Sequence, residues 1–390
     1  MTGKIPTHFH LGLGNLGLGL VLPLFAGKTR VYGLIRATSD DGRYDVLERT
    51  KRFRRDIVRS GERASESFEI AGTARYGANG LLDAAAELGP PDIVTCAIKN
   101  DIPSVYPLLA ALIDAHRDHY RAAPLLFLPF ENARGVGRGA LEYVAAHFPG
   151  GDACILAADS IVDKVCSNTR VEGDDCVVGT EPGEQLLFSG AREQDNSALQ
   201  ARLGRLHLDR HVYARPRFEL EIRKKTWLVN GLHYCIAMCA YHLDLPALTI
   251  QDALRDPQVA ATAAQFALEM LVALEAWARE QNVTIDESAL FEYAETVWAR
   301  MHAPPEDVKA RILPAVAHML LEMNLVAPAA KPFSGFPDFF RKWSERVSEP
   351  ATLVLEHHSS LEGRLVSPSL DGMLVRVLGD YVSAVVAVKH

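Results

Sequence analysis

Gly12-Leu13-Gly14-Asn15-Leu16-Gly17 follows directly on residues 8–13, which read as a β-strand, and opens residues 15–25, which read as a helix. G-x-G-x-x-G in that strand–turn–helix setting is the pattern that cradles a dinucleotide pyrophosphate. Gly12 suits the tight turn, Gly14 leaves the backbone open to the phosphates, and Gly17 lets the helix pack close to the strand. The unbonded N–H groups and positive dipole end of the helix favour the anion. The expected cofactor-binding positions are therefore Gly12, Gly14, Asn15 and Gly17. Alone, such a string is also compatible with a purely structural glycine turn; its place between strand and helix favours the dinucleotide.

Working outward, residues 30–35 form a second predicted strand, and 92–98, 125–130 and 153–158 are further short apolar runs. Helices are predicted after the second of these breaks, opened by Pro103, and over 138–147. Short apolar strands alternating with helices imply a parallel sheet covered on both faces, and right-handed crossovers make it doubly wound. Residues 167–221 turn to short alternating segments rich in Gly, Asp and Glu, read as a small antiparallel addition to that sheet. After Lys225 the chain is helical at 227–241, 257–280, 287–301, 306–323 and 370–388, with Pro246, Pro257, Pro304, Pro305 and Pro328 at the breaks. The expectation is an α/β protein: a Rossmann-type doubly wound domain over 1–222 and an all-helical domain over 223–390.

At 390 residues the chain is long enough for two cores. A net charge of −8 argues against broad contact with nucleic acid, which wants a basic surface. Its apolar runs fall short of the roughly 20 residues of a membrane helix. His8, His10 and the glycines interrupt the first apolar stretch, so no secretion signal is expected, and six cysteines read as reduced thiols. The expected location is cytoplasmic. Two basic clusters, Arg49/Lys51/Arg52/Arg54/Arg55 and Arg223/Lys224/Lys225, are each either a solvated face or an anion site.

A dinucleotide domain carries an acidic residue at the end of its second strand for the ribose 2′-hydroxyl. Here that segment reads Leu34-Ile35-Arg36-Ala37-Thr38-Ser39-Asp40-Asp41. Arg36, with Thr38 and Ser39, suits the 2′-phosphate of NADP; Asp40 or Asp41 would serve NAD if the strand ran longer. The cofactor is NAD or NADP, and both stay open.

Lys225-Thr226-Trp227-Leu228-Val229-Asn230-Gly231-Leu232-His233 begins the helical half. Asn230 and His233, three apart, share a helical face, toward which Lys225 can project. Oxidation of a carbinol needs a base, and lysine serves only if burial and neighbouring cations such as Arg223 and Lys224 bring its pKa toward neutrality. An asparagine amide is a neutral donor for the developing alkoxide. The same spacing also fits a basic helix start with a histidine in the core.

These motifs resemble those of the polyol-specific long-chain dehydrogenase/reductases, the mannitol dehydrogenase family. The shared strings are G-x-G-N-x-G-x-G at 12–19, K-x4-N-G-x-H at 225–233, D-S-x-V-D-[RK] at 159–164, and the acid–Asn pair Glu131-Asn132, in order over residues 5–260. The resemblance implies Lys225 as general acid/base, Asn132 and Asn230 as oxyanion donors, His233 as a substrate-hydroxyl ligand, and no metal. It implies hydride transfer between nicotinamide and a secondary alcohol of a polyol, keto-sugar, sugar phosphate or sugar acid. In length the chain is nearer the mannitol-1-phosphate 5-dehydrogenase branch. Beyond residue 290 that branch's basic pattern gives way to Met301-His302-Ala303-Pro304-Pro305 and an apolar helix.

Rival readings are an opine- or 3-hydroxyacyl-type dehydrogenase, for which no convincing His–Glu pair stands out, and a non-catalytic dinucleotide sensor. His233, Cys235, Cys239 and His242 have helical spacing for a metal, but the cysteines read as small apolar fillers. Cys96 reads as packing, Asp163 and Lys164 as structural, His357 and His358 as surface. Oligomeric state is open.

Overall fold

The apolar runs of the first half are too short for helices and too continuous for half-exposed strands, so each requires cover on both faces. The computed structural model provides it. The structure describes residues 5–302 apart from 37–41, 60–61, 78, 132–134, 184, 209–210, 244 and 247–248. By internal packing the chain forms two units, Met1–Phe218 and Glu219–His390.

In the first unit the strands are β1 (Thr7–Leu11), β2 (Arg30–Arg36), β3 (Arg52–Arg59), β4 (Glu62–Glu69), β5 (Gly72–Tyr76), β6 (Ile93–Cys96), β7 (Leu125–Pro129), β8 (Ile155–Asp163), β9 (Arg170–Glu172), β10 (Asp175–Thr180), β11 (Gln185–Gly190) and β12 (His211–Val212). The main sheet runs β12-β11-β8-β7-β6-β1-β2-β5. From β5 to β8 every pairing is parallel. Taken in chain order, those six strands follow the 3-2-1-4-5-6 order of the Rossmann fold. β11 adds antiparallel to β8, and β12 pairs parallel to β11.

Side chains alternate across this sheet, as strand geometry requires. Phe9, Leu11, Val94 and Phe127 join a core with α3 (Leu81–Leu88), α4 (Val105–Ala115) and α6 (Val136–His147). Val31, Ile35, Ile93, Leu126 and Leu128 join another with residues 18–25 and α7 (Asn196–Arg205). The fold class is α/β with the Rossmann-type sheet, as the sequence indicates.

A second sheet, β4-β3-β10-β9, departs from the expectation of a simple antiparallel addition. Its β3 and β4 were not legible in the sequence, and β10 pairs parallel to β3. The reason is compositional: β3 and β4 carry charge where alternation would place apolar residues. Register sets Arg52 against Glu69, Arg55 against Glu66 and Arg59 against Glu62, around a stacked Phe53–Phe68 pair at 5.3 Å. Three of the five cations in the first basic cluster are ion-paired. Arg49 meets Asp174, Arg55 meets Glu66, and Arg54 meets Glu172 and the buried Asp56.

The described elements of the second unit are all helices, beginning with the one that crosses its boundary with the first. α8 (Arg215–Arg223) leads into a π-wound segment, Lys224–Gly231, then α9 (Leu232–His242), α10 (Ile250–Ala253), α11 (Pro257–Glu280) and α12 (Glu287–Met301). Trp227, Leu228, Leu232, Ile236, Phe266, Leu274, Trp277, Leu290 and Val297 form its core. The helices expected at 306–323 and 370–388, and His357/His358, lie outside the described residues. No described helix is long and apolar enough to cross a membrane.

Candidate functional site

The glycine turn leaves β1 at the point where the sheet's order reverses, between β2 and β6. Ligands of open α/β sheets bind at such switch points, off the carboxyl ends of the strands. Gly12 has φ +101°, a region that only glycine enters readily, and a Cβ there would stand 2.3 Å from the Ala97 carbonyl oxygen at the end of β6. At Gly17 a Cβ would fall 2.1 Å from the Gly12 carbonyl oxygen. At Gly14 a Cβ would meet nothing within 4 Å. Two glycines are therefore demanded by the protein's own packing, while the third leaves a cradle that a side chain would fill. Helix winding begins at residue 15, passes through a π-wound segment Gly17–Val21, and ends as α1 (Leu22–Phe25). That cradle at a helix start fits a pyrophosphate.

Asn15 is placed differently from a simple cofactor ligand. Its side-chain oxygen accepts from the Thr169 N–H (2.8 Å) and hydroxyl (3.0 Å), and its amide donates to Asn168 Oδ1 (3.1 Å). It ties the loop after β8 to the first helix turn. Arg36 ends β2, exposed, with Nε donating to the Tyr76 hydroxyl (3.2 Å) and a terminal nitrogen to Ser104 Oγ (3.3 Å). Thr38, Ser39, Asp40 and Asp41, the other residues weighed for the ribose, lie outside the described residues.

Behind the loop, the Glu131 carboxylate is buried after β7 and accepts the Ile98 N–H just beyond β6. It holds the Ala97–Ile98 backbone against Gly12. Cys96 is fully buried beside it; burial, then the Glu131 charge, push its thiol well above the ordinary value. It therefore stays protonated and inert. Asn132 lies outside the described residues.

In the D-S-x-V-D-K string, Asp159 accepts from the Gly137 N–H (2.7 Å) and from Arg215 (2.7 Å). Lys164 donates to the carbonyls of Glu181 (2.7 Å) and Gly183 (2.5 Å). This string ties β8 to its neighbours.

In the second unit Lys225 is buried, 8% exposed, within the π-wound segment. Winding with i→i+5 bonds returns residue 230 toward the side of residue 225, whereas an α-helix would turn residues five apart to different sides. Spacing arguments based on α geometry miss this. Asn230 and His233 are both partly buried, and a Cβ on the intervening Gly231 would stand 3.0 Å from the Phe266 ring.

The cations expected to depress Lys225 are otherwise engaged. Arg223 lies 4.2 Å over the Trp277 ring and 3.4 Å from Glu219, and Lys224 lies 2.8 Å from Glu221 and 4.6 Å over the Tyr293 ring. Each of the two cations is thus compensated by its own carboxylate. Cys235 is buried as an apolar filler, and the side chains of Cys239 and His242 lie outside the described residues. Among the described residues no group of three or more His, Cys, Asp or Glu is placed to hold a metal.

No family model and no curated protein sequence matches the chain. Solved structures similar to it include 2-dehydropantoate 2-reductase from Geobacter metallireducens GS-15, 14% identical, TM-score 0.46, covering 96% of this chain and 99% of that one. D-mandelate dehydrogenase, in ternary complex with NADH and anilino(oxo)acetate, is 11% identical with TM-score 0.47, covering 97% and 99%. NADP+-bound yersinopine dehydrogenase is 16% identical with TM-score 0.46, covering 99% and 93%. These are not polyol dehydrogenases, and the membership of the mannitol dehydrogenase family expected from the motifs does not hold. The physical reason is that those motifs carry general chemistry. A glycine cradle reads a pyrophosphate, and a lysine with an asparagine answers any carbonyl or carbinol.

Proposed function

We propose that this chain is an NAD(P)-dependent oxidoreductase that interconverts a carbonyl and a secondary alcohol on a small molecule. The observation that carries the reading is the glycine turn. It sits at the switch point of a 3-2-1-4-5-6 sheet, with Gly12 and Gly17 required by packing and open space at Gly14. Gly12, Gly14, Gly17 and the first helical N–H groups would hold the pyrophosphate, with Asn15 bracing the turn and Arg36 near the adenosine ribose. A dinucleotide so bound supplies or accepts the hydride at the nicotinamide ring.

The remaining steps fall to the protein. During reduction the carbonyl oxygen gains negative charge, and the Asn230 amide donates a hydrogen bond to it. Lys225, protonated, gives its proton to that oxygen and leaves as the neutral amine; oxidation reverses both transfers. His233, one helical turn beyond Asn230, is proposed to bind a polar group of the substrate, and Asn132 to be a second oxyanion donor.

The test is consumption of NADH and NADPH, side by side, against 2-keto acids including ketopantoate and the keto form of mandelate, amine–keto acid pairs, and keto-sugars. Turnover with one class and one cofactor establishes the reading and names the substrate. Tight dinucleotide binding with no turnover across the panel would favour a sensor, and absence of binding would defeat the proposal.

A further inference from the structure

β1 carries two histidines on the face turned toward residues 15–25, both without solvent exposure. A buried imidazole is costly unless its nitrogens are bonded. Here they form one line. Thr29 Oγ1 lies 3.3 Å from His8 Nδ1, and His8 Nε2 lies 2.7 Å from Thr95 Oγ1. Thr95 Oγ1 lies 2.7 Å from His10 Nδ1, and His10 Nε2 lies 3.1 Å from the Gly12 carbonyl oxygen.

The direction of the bonds from His8 Nε2 to Gly12 follows from the last one, because a carbonyl only accepts. His10 therefore carries its proton on Nε2, and its Nδ1 accepts from the Thr95 hydroxyl. The Thr95 oxygen accepts from His8 Nε2–H, leaving His8 Nδ1 an acceptor facing the Thr29 hydroxyl, which also lies 3.5 Å from the Phe25 carbonyl oxygen. Both rings are neutral in this arrangement. Burial pushes both imidazoles the same way, His8 well below its ordinary value and His10 to about 4.

The consequence lies at the loop end. The Gly12–Leu13 peptide is trans, so its C=O and N–H point in opposite directions. Drawing the Gly12 oxygen inward onto His10 turns the Leu13 N–H away from the histidine. Neighbouring atoms hold the peptide there: Ala97 and Ile98 back Gly12, and the buried Leu13 side chain packs on Gly33.

We infer that the line Thr29–His8–Thr95–His10 is a positioning device that sets the rotation of the Gly12–Leu13 peptide and presents the Leu13 N–H to the pyrophosphate. All four side chains are buried and would act through the peptide rather than on the cofactor. Their action on binding rests on the dinucleotide reading above; the proton order along the line does not.

Two measurements test this separately. Nitrogen-15 NMR of the histidine rings in the wild-type protein near neutral pH is expected to show His8 and His10 as neutral Nε2–H tautomers. An Nδ1–H or doubly protonated His10 overturns the line whatever the ligand. Fluorescence titration then gives Kd for NADH and NADPH in folded variants. His10→Leu and Thr95→Val are expected to bind at least about fivefold more weakly, the worth of one hydrogen bond, while His10→Gln, whose amide N–H can replace Nε2–H, recovers to within about twofold of wild type. Thr95→Val is nearly isosteric and carries the test should His10→Leu fail to fold. Wild-type Kd in Thr95→Val overturns the positioning role. Wild-type protein that binds neither dinucleotide defeats the reading beneath it and this role together.

Discussion

The two candidate regions, the glycine turn of the first unit and the lysine turn of the second, both involve a π-wound helical segment, Gly17–Val21 in one and Lys224–Gly231 in the other. They reach their geometry by opposite means. Around the glycine turn, side chains are missing where backbone must approach backbone, and a buried polar line orients the peptide from behind. Around the lysine turn, side chains are large. Trp227, Leu228 and Val229 are buried, Phe266 fills the space left by Gly231, and Trp277 and Tyr293 receive the adjacent cations. Backbone sterics govern the first, and these are the same in any protein. Packing governs the second, and it belongs to this core alone.

On the proposed reading the lysine turn is the seat of chemistry and the glycine turn the seat of binding, so Lys225→Ala gives the largest separation. Turnover is expected to fall by about 10²- to 10⁴-fold, the range for loss of a general acid/base, with dinucleotide Kd unchanged. Steady-state kinetics beside a binding titration read both, and near-normal turnover would end the assignment.

The next contrast lies within the glycine turn. Gly17→Ala forces a Cβ to 2.1 Å from the Gly12 oxygen and is expected to cost stability at the upper end of overpacking, about 3 kcal/mol. Gly14→Ala meets no protein atom within 4 Å and should leave Tm almost unchanged while weakening dinucleotide binding. Thermal melts and titrations of both variants check this, and equal Tm losses would show that the two glycines do not divide the work.

Acid should expose the buried line. His10 is held to about 4 in the folded protein, against an ordinary value of 6.5. Below pH 6.5 the unfolded chain therefore takes up protons that the folded chain refuses, so the His10 contribution is full above 6.5 and is lost progressively as pH falls to about 4. The loss attributable to His10 approaches about 3 kcal/mol. Denaturant midpoints of wild type and His10→Gln across that window measure it, and parallel profiles would contradict it.

The smallest effect concerns the cofactor. Arg36→Glu places an anion at the end of β2 and is expected to shift the NADPH-to-NADH affinity ratio toward NADH by about tenfold. An unchanged ratio would move the ribose site elsewhere.

Much of the fold was legible because it follows from local rules. The strand–turn–helix around Gly12, the apolar runs at β2, β6 and β7, and the long periodic helices α11 and α12 each repeat a pattern set by covalent geometry. What failed was legible chemistry in the wrong context. β3 and β4 were missed because their partners are opposite charges on a neighbouring strand, so no period-two apolar signal exists. Arg223 and Lys224 were read as free to depress Lys225, but Glu219 and Glu221, four and three residues earlier, engage them once the helix winds. The family inferred from the motifs was wrong because pyrophosphate and oxyanion chemistry is shared by enzymes with different substrates.

By itself the sequence determined that this chain would build a dinucleotide-type sheet with a glycine turn at its switch point, since only glycine meets the steric demands at Gly12 and Gly17. Tertiary structure alone decided that His8, Thr95 and His10 join into one polar line, because a bond across 85 or 87 residues depends on which strands become neighbours. It also decided that residues 224–231 wind with five-residue bonds, bringing Lys225 and Asn230 toward one side. That winding depends on the packing available around the helix, which no local pattern in the chain encodes.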